Sequence, residues 1–421
     1  MGPNDASGGR WANYYEPIAQ VSTGGTPMKN DRTMTVRNAN RPNGTLDGVS
    51  ADQIECAIDG GEPLVGTCGF AGRIRHERRG AVLVRDVLGR RPLFSEREAD
   101  DPTEQRAWAF DRTALSDPVS VPAGFVRSAD GDERVWKLPD PSPVDGSRVL
   151  ERLETAIKDR CKSLDSTGTA VGFSGGIDSA LVASGVPEAP CYVAGFPGAH
   201  DIEAAREAAD AMGRTLTVVE LTHERLEAAI PPVVRATGRS NPMDVAIALP
   251  LYLTAREASA DGYDRLALGQ GADELFGGYS KHVHPADDHR VAAETVRSAV
   301  RETILSLPNQ LERDVLAVRS AGVEPVTPYL CDAVVSAALE LPESLLVEGQ
   351  ERKVALRRIA DGSLPDRVVN AEKKALQYGS YVSRELDRLA RQAGFKRRID
   401  DHVGNYIRSI VADPDEDTVD R

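Results

Sequence analysis

Between residues 149 and 268, short apolar runs alternate with longer stretches whose apolar residues return on one helical face. Val149, Leu150, Leu153, Ile157 and Cys161 recur at helical spacing and predict an amphipathic helix over residues 149–164. Thr169-Ala170-Val171 is short and partly β-branched, which predicts a strand, and Leu181-Val182-Ala183-Ser184 continues as helix after a tight loop. Residues 191–196, 216–221 and 265–268 predict three further strands, with helices over 201–212, 224–237 and 245–260. Strands alternating with helices predict an α/β fold, a doubly wound parallel sheet that binds its ligand at the strand C-termini.

The flanking regions read differently. Residues 50–58 predict a short helix, and residues 81–86, 89–94, 108–111 and 135–138 predict strands and turns of a small β-rich module. Asp140-Pro141-Ser142-Pro143 reads as a linker. Residues 1–48 are rich in Gly, Asn, Thr, Pro and Arg without an apolar period, which predicts a disordered or over-extended N-terminus. The expected organisation is therefore 1–48, a β-rich module over 49–140, the α/β sheet domain over 149–382, and a C-terminal helix with an acidic tail over 383–421.

Composition narrows the function. The chain has 421 residues, room for two or three domains, and is 41% hydrophobic, enough for a real core. Its 51 Lys and Arg against 65 Asp and Glu leave a net charge of −14, which argues against a surface built to coat nucleic acid. The five cysteines show no CxxC spacing, so neither zinc nor a disulfide framework is indicated. No apolar run is long enough for a membrane span, and a cytoplasmic protein is expected.

The candidate chemistry sits in two loops. The first is Gly-Phe-Ser-Gly-Gly-Ile-Asp-Ser-Ala, residues 172–180. The amides of Gly175, Gly176 and Ile177, with the Ser174 and Ser179 hydroxyls, suit an anion cradle at a helix N-terminus. Asp178 would repel phosphate unless a cation sat between them, and Mg²⁺ is the natural mediator. The second loop, residues 269–279, reads Gly-Gln-Gly-Ala-Asp-Glu-Leu-Phe-Gly-Gly-Tyr. Gly269 and Gly271 let backbone approach a phosphate, and Asp273 offers a second carboxylate for the metal.

The first loop lacks the P-loop lysine. It resembles the Ser-Gly-Gly-x-Asp-Ser loop of the N-type ATP pyrophosphatases, and the second resembles the signature of asparagine synthetases. Tyr192 to Gly198, Pro328-Tyr329-Leu330, Arg352 to Arg357 and Glu372 to Ser380 match further segments of that family. The resemblance implies a sheet of the adenine nucleotide alpha hydrolase (HUP-like) type, with a helical C-terminal part. It implies ATP and Mg²⁺ as cofactors, and Asp178 and Asp273 as metal ligands. The backbone at Ala194 would meet adenine. Lys373, or its neighbour Lys374, would be the catalytic lysine. The implied reaction adenylates a small-molecule carboxylate, releasing pyrophosphate, and an amine or ammonia then displaces AMP.

Gly69-Phe70-Ala71, Val84 to Phe94 and Pro122-Ala123-Gly124 resemble the second half of a class II glutamine amidotransferase domain. The resemblance places no nucleophilic cysteine there, so Cys68 reads as an ordinary buried residue and the glutaminase as absent. Nitrogen would come from ammonia, an ammonia-supplying partner or the substrate's own amine, and a homodimer is compatible. Departures fall at the acceptor end: Gln270 replaces a catalytic Glu, Leu268 a Ser, and Ala246 and Val326 two arginines. Gln270→Glu is accordingly expected to keep or raise activity. A β-lactam-synthetase-like enzyme, a tRNA-modifying pyrophosphatase and a non-catalytic ATP-binding subunit are the alternatives.

Overall fold

The computed structural model describes residues 45–288, 293–371, 376–398 and 400–412. The expectations for residues 1–44, for Lys373 and Lys374, and for the tail 413–421 lie outside the described residues.

The β-rich module opens with β1 (Leu46–Asp47) and α1 (Ala51–Gly60). Ser50 starts the helix because its side chain accepts from the Gln53 amide while Gln53 reaches back, a capping box. There follow β2 (Ala71–His76), β3 (Gly80–Arg85), β4 (Phe94–Glu96), β5 (Trp108–Ala109), β6 (Pro118–Ser120), β7 (Phe125–Ser128) and β8 (Gly131–Arg134). They form two antiparallel sheets, ordered β1-β2-β3-β7-β8 and β5-β4-β6. The strand expected over 135–138 is not formed. Val135 and Trp136 both donate backbone N–H to Gly124 O at 3.0 Å. This turns Trp136 inward, where it meets Phe70 edge-on at 5.3 Å and donates Nε1 to Ala57 O at 3.1 Å. Burial of a large indole with its N–H satisfied outweighs continuation of the ladder.

The larger part begins with α2 (Gly146–Lys162), which buries Val149, Leu153, Ile157 and Cys161, the face read from the sequence. Then come β9 (Thr169–Gly172), α3 (Ile177–Gly185), β10 (Cys191–Gly195), α4 (His200–Met212) and β11 (Leu216–Glu220). After α5 (His223–Thr237) and α6 (Pro242–Ala260) the chain returns through β12 (Arg265–Ala267), α7 (Ala272–Leu275), α8 (Val296–Ser320) and β13 (Glu324–Val326). The sheet order is β11-β10-β9-β12-β13, all parallel. The chain winds outward from β9 to one edge, then crosses back to place β12 on the other side. The switch point therefore falls between β9 and β12, the two strands whose following loops carry both candidate motifs.

Both faces of this sheet are buried. Val171, Cys191, Val193 and Ala267 point into one cluster with α2 and α3. Ala170, Tyr192, Ala194 and Leu266 point into another with α5 and α6. Period-two alternation between two apolar layers explains why these strands are apolar throughout.

The module is fastened to the sheet domain by buried charge. Arg90 binds Asp86 on its own loop at 2.8 Å, Asp332 Oδ1 at 2.6 Å and Leu330 O at 2.8 Å. Two cysteine expectations are corrected here. Cys68 is only half-buried, and its sulfur is bonded to Cys331, 263 residues away. Spacing along the chain could not show this pairing, because it exists only once the module has packed on the segment after β13. Among the described residues no helix is long and apolar enough to cross a membrane.

Candidate active site

The loops after β9 and β12 face each other across a cleft of about 250 Å³. Gly269 makes the approach possible: a Cβ there would lie 2.9 Å from Asp178 Cβ and 3.0 Å from the Ser179 amide. Gly271 sits at φ +91°, and a Cβ on it would meet Leu330 at 2.5 Å. The glycines of the second loop are thus required by close packing as well as by any ligand.

Of the residues singled out from the sequence, Ser174, Asp178, Ser179, Ala194, Gly269, Gln270, Gly271 and Asp273 all line this cleft. Gly175 supports it from behind: at φ +76° its missing Cβ would collide with the α4 backbone at Ala204. Gly176 caps α3, while the Ile177 side chain is buried in the core. Lys373 and Lys374 lie outside the described residues; the described chain resumes at Leu376, on the cleft wall.

At one end the geometry is ionic. Lys353 Nζ donates to Asp178 at 2.8 and 2.7 Å and lies 2.5 Å from Asp273 Oδ1. Asp178 and Lys353 are both buried. The two carboxylates proposed for a metal therefore converge on one cationic point. Lys353 takes a left-handed backbone, φ 57°, just before the helix Val354–Ala360, and Gly278 leaves the room for its side chain. Tyr329 fixes the other side, donating Oη to Asp178 O at 2.8 Å; burial raises its phenol well above the ordinary range. Ser179 Oγ lies 3.2 Å from the Ser174 amide and donates to Gly176 O at 3.0 Å, holding the loop's hydroxyls together.

At the other end Gln270 Nε2 donates to Asp314 Oδ2. Asp314 also accepts from Arg313 Nε at 2.7 Å and Nη2 at 3.1 Å, and Arg313 Nη1 donates to Asp244 at 2.7 Å. Burial pushes the Asp314 carboxyl above its usual range, outweighing the opposing pull of Arg313. Gln270 Oε1 is buried and has no hydrogen-bond partner among the described residues.

Arg313 and Asp314, which line the cleft, and Lys353 and Tyr329, which hold Asp178 from behind, were not named as site residues by the sequence reading. Lys353 and Tyr329 stood in segments already matched to the family. Asp314 and Arg313 lie on α8, a helix not predicted. Among the substituted positions, Leu268 lines the cleft, whereas Ala246, on α6, is packed in the core and Val326 faces a different cavity. No group of three His, Cys, Asp or Glu side chains placed to hold a metal ion occurs among the described residues.

Comparison with known proteins agrees with this architecture. Residues 148–307 and 288–409 match the Asparagine synthase family. A putative glutamine-hydrolysing asparagine synthetase of Methanocaldococcus jannaschii is 28% identical over 398 residues, covering 79% of this chain and 72% of that protein. Asparagine synthetase B of Escherichia coli is 26% identical over 343 residues, covering 74% of this chain and 60% of that one. A probable asparagine synthetase of Schizosaccharomyces pombe is 25% identical over 319 residues, with 66% and 56% covered. With the family match running through the whole parallel sheet and both loops of its switch point, the chain belongs to the asparagine synthase family.

Proposed function

We propose that the chain uses ATP to adenylate a small-molecule carboxylate, releasing pyrophosphate, and joins the acyl group to an amine with release of AMP. The observation that carries this reading is the convergence of Asp178 and Asp273 on one cationic point beside the Ser174–Ser179 loop. A polyphosphate needs both donors and positive charge, and both are offered at the switch point. Two carboxylates already gathered around an ammonium form a donor set that suits Mg²⁺, which typically takes one or two carboxylates with substrate phosphates. When bound, the ion would neutralise polyphosphate charge. Lys353 brings a second positive charge to the same place. Lys373, or its neighbour Lys374, is proposed to stabilise the adenylating transition state. Ala194 would offer its backbone to adenine, beside the apolar wall of Tyr192, Pro250 and Leu251.

The acceptor end completes the reading. Ionised Asp314 can only accept hydrogen bonds, so the Gln270 amide turns Nε2 toward it and leaves Oε1 buried without a partner among the described residues, on a side chain that lines the cleft. An N–H of the incoming amine is the group that satisfies Oε1. Asp314, raised by burial, is the carboxylate placed to take the proton this amine loses. Gln270 is thus a positioning residue and Asp314 the base. The proposed nitrogen donor is ammonia or a substrate amine, not glutamine hydrolysed by Cys68, whose sulfur is bonded to Cys331.

The test is pyrophosphate release from ATP with a panel of carboxylates and amines. Asp178→Ala and Asp273→Ala are expected to abolish release with the far-ultraviolet circular dichroism unchanged. Full activity in both variants would end the reading. ATP binding by the wild type without AMP under any carboxylate–amine pair would identify a binding subunit instead.

A further inference from the structure

A second cavity, of about 710 Å³, lies between the β-rich module and the edge strand β13. It takes in Arg265 at the start of β12 and the whole of β13, Glu324 to Val326, and shares no lining residue with the cleft. Five arginines line it, Arg90, Arg91, Arg160, Arg265 and Arg319, against three carboxylates, Asp47, Asp165 and Glu324. In a chain of net charge −14 such a wall runs against the general balance.

The pairings leave two of these cations poorly answered. Asp47 and Glu324 are engaged by Arg91 at 2.7 Å and by Arg319 at 2.7 and 2.8 Å. Arg265 reaches Asp165 only at 3.9 Å and Asp264 only at 4.0 Å. Arg160 has no carboxylate within ion-pair distance among the described residues, and its Nη1 donates only to the Ser163 hydroxyl at 3.1 Å. Among the described residues, Arg160 Nε and Arg90 Nη2 are buried donors without an acceptor. Burial lowers the Arg160 pKa, and the charges of Arg91 and Arg265 lower it further. Buried guanidinium N–H groups without acceptors are costly, and several cations in one polar cavity repel unless an anion joins them.

We infer that this cavity binds an oxyanion-bearing small molecule, its phosphoryl or carboxylate group held between Arg160, Arg265 and Arg90 Nη2. The guanidinium fork matches both groups, which is why the two share one site chemistry. The site is separate from the proposed reaction and does not depend on it.

The probes are inorganic phosphate for a phosphoryl ligand and citrate for a carboxylate one, titrated calorimetrically into the full chain without ATP. Saturable binding of either is expected, and whichever binds more tightly names the group. Arg160→Gln and Arg265→Gln should each weaken it about tenfold or more, the worth of one hydrogen bond to a charged group. Magnesium-ATP should bind these variants as it binds wild type. No saturable binding of either anion, or equal affinity in wild type and both variants, overturns the assignment. A measurement on wild type alone guards against misfolded variants: phosphate or citrate should slow phenylglyoxal modification of Arg160 and Arg265, read by peptide mass spectrometry. Unchanged modification rates also overturn it.

Discussion

The two ends of the cleft are built on opposite plans. At the phosphate end, charges are matched around one point: an ammonium between two carboxylates, a tyrosine hydroxyl on the Asp178 carbonyl, and glycines that admit close packing. At the acceptor end, the Asp314 carboxylate is held by Arg313 and Gln270, yet one buried oxygen, Gln270 Oε1, is unpartnered among the described residues. The first plan answers its charges with other groups of the protein. The second leaves one acceptor for a ligand to complete. A superfamily activation step fits the first, and substrate choice is expected to reside in the second.

The hardest test of this contrast is Lys353→Met. It leaves buried Asp178 facing Asp273 without their ammonium, and losing one partner of a buried ion pair costs about 3–5 kcal/mol. Urea denaturation should show this loss, together with loss of pyrophosphate release. A stability change near zero would mean that the phosphate end is not held by its charges. Next in size is Asp314→Asn, which keeps the shape of the acceptor end. It is expected to slow amide formation by about 100-fold, the low end of general-base catalysis, with pyrophosphate release from the adenylating step retained. Equal slowing of both steps would erase the distinction between the two ends.

Gln270→Glu sharpens the same contrast through pH. The sequence alone suggests that a carboxylate here keeps or raises activity. The Asp314 contact reverses that expectation, because two carboxylates side by side cannot both ionise cheaply. One of the pair then has its folded-state pKa raised above the unfolded value, so the folded protein holds the extra proton. Stability relative to wild type is therefore expected to fall as pH rises from about 4 through that raised pKa, then level off. Thermal denaturation across pH 4–8 reads this, and a flat difference would mean that Asp314 is not carrying the charge assigned to it. The smallest effect is expected for Tyr329→Phe, which removes only the hydrogen bond to Asp178 O, about 1 kcal/mol.

What could be read in advance follows from range. The doubly wound sheet was legible because each strand and helix carries its own period, and both loops because glycines and carboxylates cluster within a few residues. The helix α2 face was legible for the same reason. β13, only three residues long and containing Pro325, carried no such period. The strand expected at 135–138 failed because Trp136 found a tertiary partner better than a ladder.

By itself, then, the sequence determined the order of elements and the two motif loops, since backbone preference and apolar period act over a few neighbouring residues. The tertiary structure alone decided which distant side chains complete them. Lys353 lies 175 positions from Asp178, Asp314 lies 44 from Gln270, and Cys331 lies 263 from Cys68. No local preference marks such pairs. They are selected by the burial that brings their elements together, and a buried charge or donor then has to be answered by whatever the packing places beside it.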